Sequence, residues 1–211
     1  MVRRTKIAAE RTRKQILDAA EQCFRDIGVT RTTLDMIAEK AGCTRGAIYW
    51  HFTEKKDILK QLIERTPLFL FSEITEASLK KSPLASLRHC LLQALEDLKN
   101  NYHLRNIIEV AVFHNEYSED SISRFIFDKC GPVKLFRLLE SICTKGKLQG
   151  EFKINISSGT LTVLIFSVFT GAVKTNILMA EKNSVLDEGK KALNLIFDIA
   201  IGTKVECNEN T

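Results

Sequence analysis

Apolar side chains recur every three or four residues along almost the whole chain, which is the spacing of one face of an α-helix. The most regular stripe comprises Leu84, Leu87, Leu91, Ala94, Leu95 and Leu98. Ser82 and Pro83 stand just before it, where an N-cap and a proline at the first helical position are typical. No segment alternates with period two over several residues, and there is no internal repeat. The sequence therefore predicts an all-α fold.

Glycine and threonine divide the first 66 residues into four predicted helices. Gly28 stands at the end of the first helix, and Thr32 or Thr33, Thr44 and Thr53 precede the other three as N-caps. After the leucine stripe, further helices are predicted over about 102–114, 120–146 (interrupted at Gly131-Pro132), 157–181 and 186–202. The segment KGKLQGEF at 145–152 is interpreted as a turn-rich connector.

Positive charge is concentrated at the N-terminal end of the chain. Residues 1–66 hold 14 of the 31 Lys and Arg residues but only 9 of the 26 Asp and Glu residues, whereas residues 67–211 hold 17 of each. A basic segment beside a neutral remainder indicates two modules, the first of which meets a polyanion. A solvated basic surface explains the charge equally well. The basic N-terminus at Arg3, Arg4 and Lys6 is likewise open to two interpretations, a solvated arm or an arm that reaches DNA.

The segment 32–52, TTLDMIAEKAGCTRGAIYWHF, predicts two short helices that meet at Ala41-Gly42-Cys43. Two helices joined by a short turn that contains glycine form a helix-turn-helix. The second helix of such a motif lies in the major groove of DNA. We expect Ile48 and Phe52 to face inward, which leaves the rest of that helix available to DNA.

The residue types on this second helix suit DNA chemistry. Arg45 at its start is suited to a bidentate contact with guanine, worth about 1–3 kcal/mol of discrimination. Gly46 and Ala47 are small and permit close approach of the backbone to bases. Lys55 begins the next helix, where a phosphate suits both the cation and the helix dipole. Donors for phosphate oxygens are carried by Thr44, Tyr49 and His51. Taken alone, Tyr49 and His51 also fit a packing role.

From TRGAIYWHF through Glu54, Lys55 and Lys56, the chain resembles the TetR family of bacterial transcriptional repressors. The segments MVRRTK, TRKQILDAAEQCF and KGKLQGEF resemble one branch, the AcrR/TtgR-type repressors of multidrug efflux pumps. The resemblance is specific over 1–66; over 67–211 it rests on the helix pattern, the connector and FTGAVKTNIL. It implies an N-terminal three-helix helix-turn-helix DNA-binding domain over 1–66 and a C-terminal helical ligand-binding and dimerisation domain over 67–211.

The resemblance also implies a mechanism and a set of residues. A homodimer would bind a palindromic operator near an efflux operon, and a hydrophobic small-molecule inducer would release it. The family pattern assigns contacts with double-stranded DNA to Thr33, Thr44, Arg45, Gly46, Ala47, Tyr49, His51 and Lys55. It places Trp50 in the packing behind the second helix.

The C-terminal two thirds contain 10 of the 12 Phe residues, mixed with small and polar residues. An apolar cavity with a few polar groups is what a binding site for varied small molecules needs, although each Phe alone is more often part of the core. The positions nearest to the family's pocket are Leu92, Leu95, Ile108, Val112, Phe113, Phe136, Leu139, Phe166 and Phe169. The segment AVFHNEYSED departs from the branch pattern, so the identity of the ligand does not carry over.

Twenty uncharged residues lie between Lys153 and Lys174, about the length of a membrane-spanning helix. The first third of this stretch is polar, so we interpret it as a buried or interface helix and expect no membrane partner. The last two helices are expected to pair with their copies in a homodimer, with close approach at Gly159, Ser167 and Gly171.

Other classes of protein are less consistent with the sequence. HExxH, GxSxG, the P-loop and GxGxxG are missing, and a metal set of Glu109, His114 and Glu116 would arise by chance, so we expect neither an enzyme nor a cofactor or metal. The six scattered Cys predict free thiols in the cytoplasm. A non-inducible regulator or a nucleoid-type architectural protein of the same fold remains the alternative function.

Overall fold

The computed structural model describes residues 2–65, 69–113, 131–179 and 183–202, with side chains over 6–64, 70–110, 131–179 and 184–202. The described residues form ten helices: α1 Val2–Arg31, α2 Leu34–Ala41, α3 Arg45–His51, α4 Lys55–Arg65, α5 Phe69–Ala77, α6 Pro83–Asn100, α7 Tyr102–Phe113, α8 Pro132–Leu148, α9 Ser158–Leu178 and α10 Asn183–Ile201. The all-α prediction is confirmed. The sequence did not predict α5.

One compact unit contains α1–α4 together with α7. Ile48 and Phe52, which are expected to face inward, are buried. Ile16 and Phe24 of α1 and Ile58 of α4 are buried beside them in the same unit. The end of α1 is interrupted where Gly28 adopts φ 82°, a conformation that favours glycine. The backbone is helical from Val2 onward, so the basic N-terminus extends α1.

Helix α7 packs against α1 through a buried polar cluster. The carboxylate of Glu21 is buried and accepts a hydrogen bond from Asn106 Nδ2 at 2.6 Å. His103 Nδ1 lies 2.9 Å from Glu21 Oε2. The unit that contains the helix-turn-helix therefore includes a helix beyond residue 66, whereas the sequence predicts contiguous domains over 1–66 and 67–211.

The second compact unit contains α5, α6 and α8–α10. The predicted leucine stripe of α6 is confirmed, since Leu84, Leu87, Leu91, Leu95 and Leu98 are all buried. Helix α10 packs on both α6 and α9, and α9 packs on α8. The predicted helix over 120–146 is described only from Gly131, which is the N-cap of α8; its earlier residues lie outside the described part of the chain.

The KGKLQGEF segment is partly helical and not only a connector, because α8 continues to Leu148. A Cβ atom at Gly146 would lie 2.7 Å from Leu84 Cγ, so glycine allows α8 to approach α6 closely. Ser82 occupies the N-cap position of α6 without a side-chain capping bond. The Glu151 carboxylate accepts from the Leu84 backbone N–H at 3.2 Å instead, and burial raises the pKa of that carboxyl group.

Candidate nucleic-acid interface

Two threonine caps and one glycine build the helix-turn-helix. The Thr33 hydroxyl accepts from the Met36 N–H at 3.2 Å, and the Thr44 hydroxyl accepts from the Ala47 N–H at the same distance. Between the two helices, Gly42 ends α2 in the left-handed conformation at φ 65°. Each capping oxygen accepts one hydrogen bond, so its own O–H is a donor suited to a phosphate.

Helix α3 separates packing from exposure sharply. Ile48 is fully buried, while Tyr49 is 48% and Trp50 is 73% exposed. The prediction that Trp50 packs behind the helix is therefore wrong. Each residue advances an α-helix by about 100°, so a side chain two positions from buried Ile48 points to the opposite side. Trp50 joins the exposed surface that Tyr49 occupies.

His51 is half-buried at the end of α3. Its ring meets the Trp50 ring edge-on, with centroids 4.6 Å apart. Burial and the nearby Arg13 guanidinium lower the pKa of His51 below its ordinary value, against a smaller opposite effect of Glu10. The same guanidinium lies 5.9 Å from the centroid of the Phe52 ring. The neutral form of His51, which offers one ring N–H, therefore predominates at pH 7 in the free protein.

Lys55 is the first residue of α4, as expected, but its side chain also has a structural role. Its ammonium group donates to the backbone carbonyls of Val29 and Thr30 at 2.8 and 3.0 Å. Burial lowers the pKa of this lysine. Two of the three ammonium hydrogens thus tie α4 to the end of α1, and a phosphate contact would use the third.

Arg45 and Gly46 begin α3 on the exposed side. Arg45 Nε lies 2.9 Å from Asp35 Oδ1, and the two side chains are 72% and 49% exposed. A Cβ atom added to Gly46 would meet nothing within 4 Å, so packing inside the protein does not require glycine there.

The eight predicted DNA contacts lie on the N-cap of α2, on the N-cap and length of α3, and at the start of α4. Those that are exposed are Thr33, Thr44, Arg45, Gly46 and Tyr49. Those that are half-buried are Ala47, His51 and Lys55. Two further residues at this surface were not predicted from the sequence, namely exposed Trp50 and Asp35, which pairs with Arg45. Helical spacing alone predicts that Trp50 is exposed, whereas the contact of Asp35 with Arg45 is seen only in the fold.

The predicted ligand residues fall into both units. Leu95, Leu139 and Phe169 are buried; Leu92, Phe136, Phe166 and Ile108 are half-buried, the last of these on α7. Val112 and Phe113 also belong to α7, but their side chains lie outside the described residues, as do His114 and Glu116. The structure brings Phe136 and Phe166 together, with ring centroids 5.3 Å apart at an angle of 80°.

Helices α9 and α10 leave apolar side chains exposed. On α9 these are Val163, Leu164 and Leu178, and on α10 they are Leu195 and Ile199. Among the described residues, α9 is long and apolar enough to cross a membrane by length and composition, and 33% of its apolar window is buried within the chain.

Comparison with known proteins gives concordant results. The family model for bacterial regulatory proteins of the tetR family matches residues 16–62. The transcriptional regulator TtgR of Pseudomonas putida is 32% identical over 208 residues, which cover 94% of this chain and 96% of TtgR. A solved complex of SmeT with triclosan has a TM-score of 0.74 and 26% identity, and the match covers 90% of this chain and 91% of SmeT. A second SmeT structure, described as the repressor of the Stenotrophomonas maltophilia multidrug efflux pump SmeDEF, has a TM-score of 0.70 at 26% identity over 90% of each chain.

Proposed function

The chain belongs to the TetR family of bacterial regulatory proteins, and on that premise we propose that it represses a multidrug efflux operon. It is a DNA-binding transcriptional regulator and not an enzyme. The observation that carries the proposal is α3 itself, which is anchored by Ile48 and presents Arg45, Gly46, Tyr49 and Trp50 on one exposed surface.

Each class of DNA contact has a candidate in that surface. Arg45 supplies paired donors for a guanine edge. The hydroxyls of Thr33, Thr44 and Tyr49, together with the rings of Trp50 and His51, supply donors for phosphates, which fix the position of the helix without selecting sequence. Gly46 and Ala47 allow close backbone approach, and Lys55 adds a cation at the start of α4.

The exposed apolar side chains of α9 and α10 support a homodimer as part of this proposal. Apolar side chains such as Val163, Leu164, Leu195 and Ile199 are stabilised by burial, at about 25 cal/mol per Å² of apolar surface. A second copy packed on the same face gives a two-fold symmetric four-helix interface, and Ser167 allows close approach. A two-fold axis in the protein would match the symmetry of a palindromic operator, whose half-sites present successive major-groove faces about 34 Å apart. This interface, rather than a membrane, covers α9 in the cytoplasm.

TetR-family regulators bind operator DNA and small-molecule ligands. We place the ligand site of this chain in the C-terminal domain, near the Phe136 and Phe166 rings, because their edge-on contact offers aromatic surface to an apolar guest. The ligand class is a hydrophobic small molecule, for which triclosan is a reasonable first probe since SmeT forms a complex with it. Filling the site would weaken operator binding by a coupling of about 1–3 kcal/mol.

Fluorescence anisotropy tests this proposal with a labelled duplex from the DNA beside the gene. A scrambled duplex of equal length is the control, salt is varied, and triclosan and other hydrophobic drugs are added in turn. Selective binding that a drug reverses supports a ligand-responsive repressor. Selective binding that no drug weakens contradicts the inducer and favours a non-inducible regulator. Equal, strongly salt-dependent affinity for both duplexes favours the architectural alternative.

A further inference from the structure

The first side chain of the DNA-facing helix is held by the preceding helix. Arg45 opens α3, and its Nε lies 2.9 Å from Oδ1 of Asp35, which stands in the first turn of α2. The two residues are brought together across the turn at Gly42, although ten positions separate them in the chain. With side chains 72% and 49% exposed, the pair lies on the surface rather than in the core.

The ion pair between Asp35 and Arg45 is expected to add little to the stability of the fold. An ion pair between two exposed side chains contributes little, because water screens it and both side chains lose freedom. A carboxylate on a surface that meets DNA also repels the phosphates of every sequence alike. We therefore expect Asp35 to weaken general DNA binding, so its contact with Arg45 needs another explanation, such as an effect on which base the arginine recognises.

The contact between Arg45 Nε and Asp35 Oδ1 indicates how Asp35 would affect base recognition. Guanine offers O6 and N7 in the major groove, and an arginine that reads both must present two parallel N–H donors. The carboxylate contacts Nε, whereas Nη1 and Nη2 form the edge that such a bidentate contact can use. Because Arg45 starts a helix, it also lies at the positive end of the α3 dipole, where a carboxylate offsets an unfavourable position for a cation.

We propose that Asp35 is a positioning residue, which holds the Arg45 guanidinium by Nε so that its Nη1–Nη2 edge selects a guanine in the operator. Asp35 thus sets sequence discrimination while lowering affinity for DNA in general. The proposal rests on the operator binding proposed above and adds to it a specificity-determining residue that does not itself contact a base.

The test begins by finding the guanine that Arg45 contacts. Each guanine of the operator is replaced in turn by 7-deazaguanine, which lacks the N7 acceptor, and the loss of affinity is measured by anisotropy. The relevant position is the one where wild type loses affinity and Arg45→Ala loses none. At that position we expect a loss of about tenfold for wild type.

Asp35→Asn is then compared with Glu39→Gln, which removes an exposed carboxylate from the same helix that does not pair with Arg45. We expect Asp35→Asn to reduce the 7-deazaguanine effect to less than about threefold while binding a scrambled duplex as well as wild type or more tightly. Glu39→Gln should keep the full effect. Asp35→Glu, which retains the carboxylate, should restore part of it. Thermal unfolding of each variant shows whether the fold is intact.

Two results separate the failure of this inference from that of the function. If wild type prefers the operator and Asp35→Asn retains the full effect, Asp35 only stabilises α2 and the inference is overturned while the repressor function stands. If wild type shows no preference between operator and scrambled duplex, the proposed function fails and this inference with it.

Discussion

Helices α3 and α9 both expose one side, but the side chains on those two sides differ in chemistry. In α3 a single buried side chain, Ile48, anchors seven residues, and apart from Gly46 the exposed ones are polar or aromatic with a donor. In α9 Leu161, Ile165 and Phe169 pack inward, yet the outer side also carries Val163 and Leu164. Exposed donors suit a hydrated polyanion, whereas exposed aliphatic side chains suit a dry protein surface. Exposure alone therefore does not indicate which partner a surface binds, whereas the chemistry of its exposed side chains does.

The largest effect is expected from the residue that follows α3. Phe52→Ala removes a buried ring from the core of the DNA-binding unit, which should lower the free energy of unfolding by about 3–5 kcal/mol and abolish operator binding. Trp50→Ala is the matched control: because Trp50 is exposed, it should change stability by less than about 0.5 kcal/mol while weakening operator binding. Thermal and denaturant unfolding, followed by anisotropy, measure both. Equal destabilisation by the two variants would contradict the division of α3 into packing and binding sides.

The corresponding test on α9 is Leu164→Asp. A carboxylate in the middle of the exposed apolar face should convert the proposed dimer to a monomer, because burying an unpaired charge is strongly unfavourable. We expect dimerisation weakened by about a hundredfold or more in sedimentation or light scattering, and loss of operator binding with it. Leu79→Asp is the control, since Leu79 is the same residue type, is even more exposed, and lies between α5 and α6 rather than on α9 or α10. A Leu164→Asp protein that stays dimeric would place the interface elsewhere.

How much of these two regions can be predicted from the sequence depends on how many residues separate the groups in contact. Periodicity and caps are local, so the inward side of α3 at Ile48 and the helical character of α9 follow from the sequence. The same periodicity places Trp50 outward, and the opposite prediction came from the resemblance rather than from helical geometry. The two carbonyls that bind Lys55 lie 25 and 26 residues away, and no local pattern indicates them.

The division of the chain into two compact units also depends on contacts between residues far apart in the sequence. Helix α7 looks like any other amphipathic helix in sequence, and its place beside α1 depends on the buried contact of Glu21 with Asn106, 85 residues apart. Likewise, the pairing of Phe136 with Phe166 needs the packing of α8 on α9, so composition could nominate the two residues but could not bring them together.

Substituting two glycines compares a surface proposed to bind DNA, at Gly46, with a packed helix contact, at Gly146. Gly46→Ala adds a methyl group that meets nothing in the protein, and it should raise stability by about 0.5–1 kcal/mol because alanine favours the helix. The same methyl group should weaken operator binding about tenfold by separating α3 from the bases. Gly146→Ala is the control with the opposite sign: its methyl group meets buried Leu84 and should lower stability by about 1–3 kcal/mol. Tight operator binding by Gly46→Ala would show that α3 does not approach DNA closely.

The smallest effect concerns the charge of His51. Burial and Arg13 hold its pKa below the ordinary value of 6.5 in the free protein, so it is neutral at about pH 7.5. A phosphate beside the ring favours the charged form and raises the pKa in the complex. A group with a higher pKa in the complex takes up a proton on binding, so operator affinity should rise as pH falls, by about threefold between about pH 7.5 and pH 6. His51→Gln should remove this dependence, while His89→Gln, which changes an exposed histidine on α6, should keep it. If affinity varies with pH equally in all three proteins, His51 packs against Trp50 without contacting a phosphate.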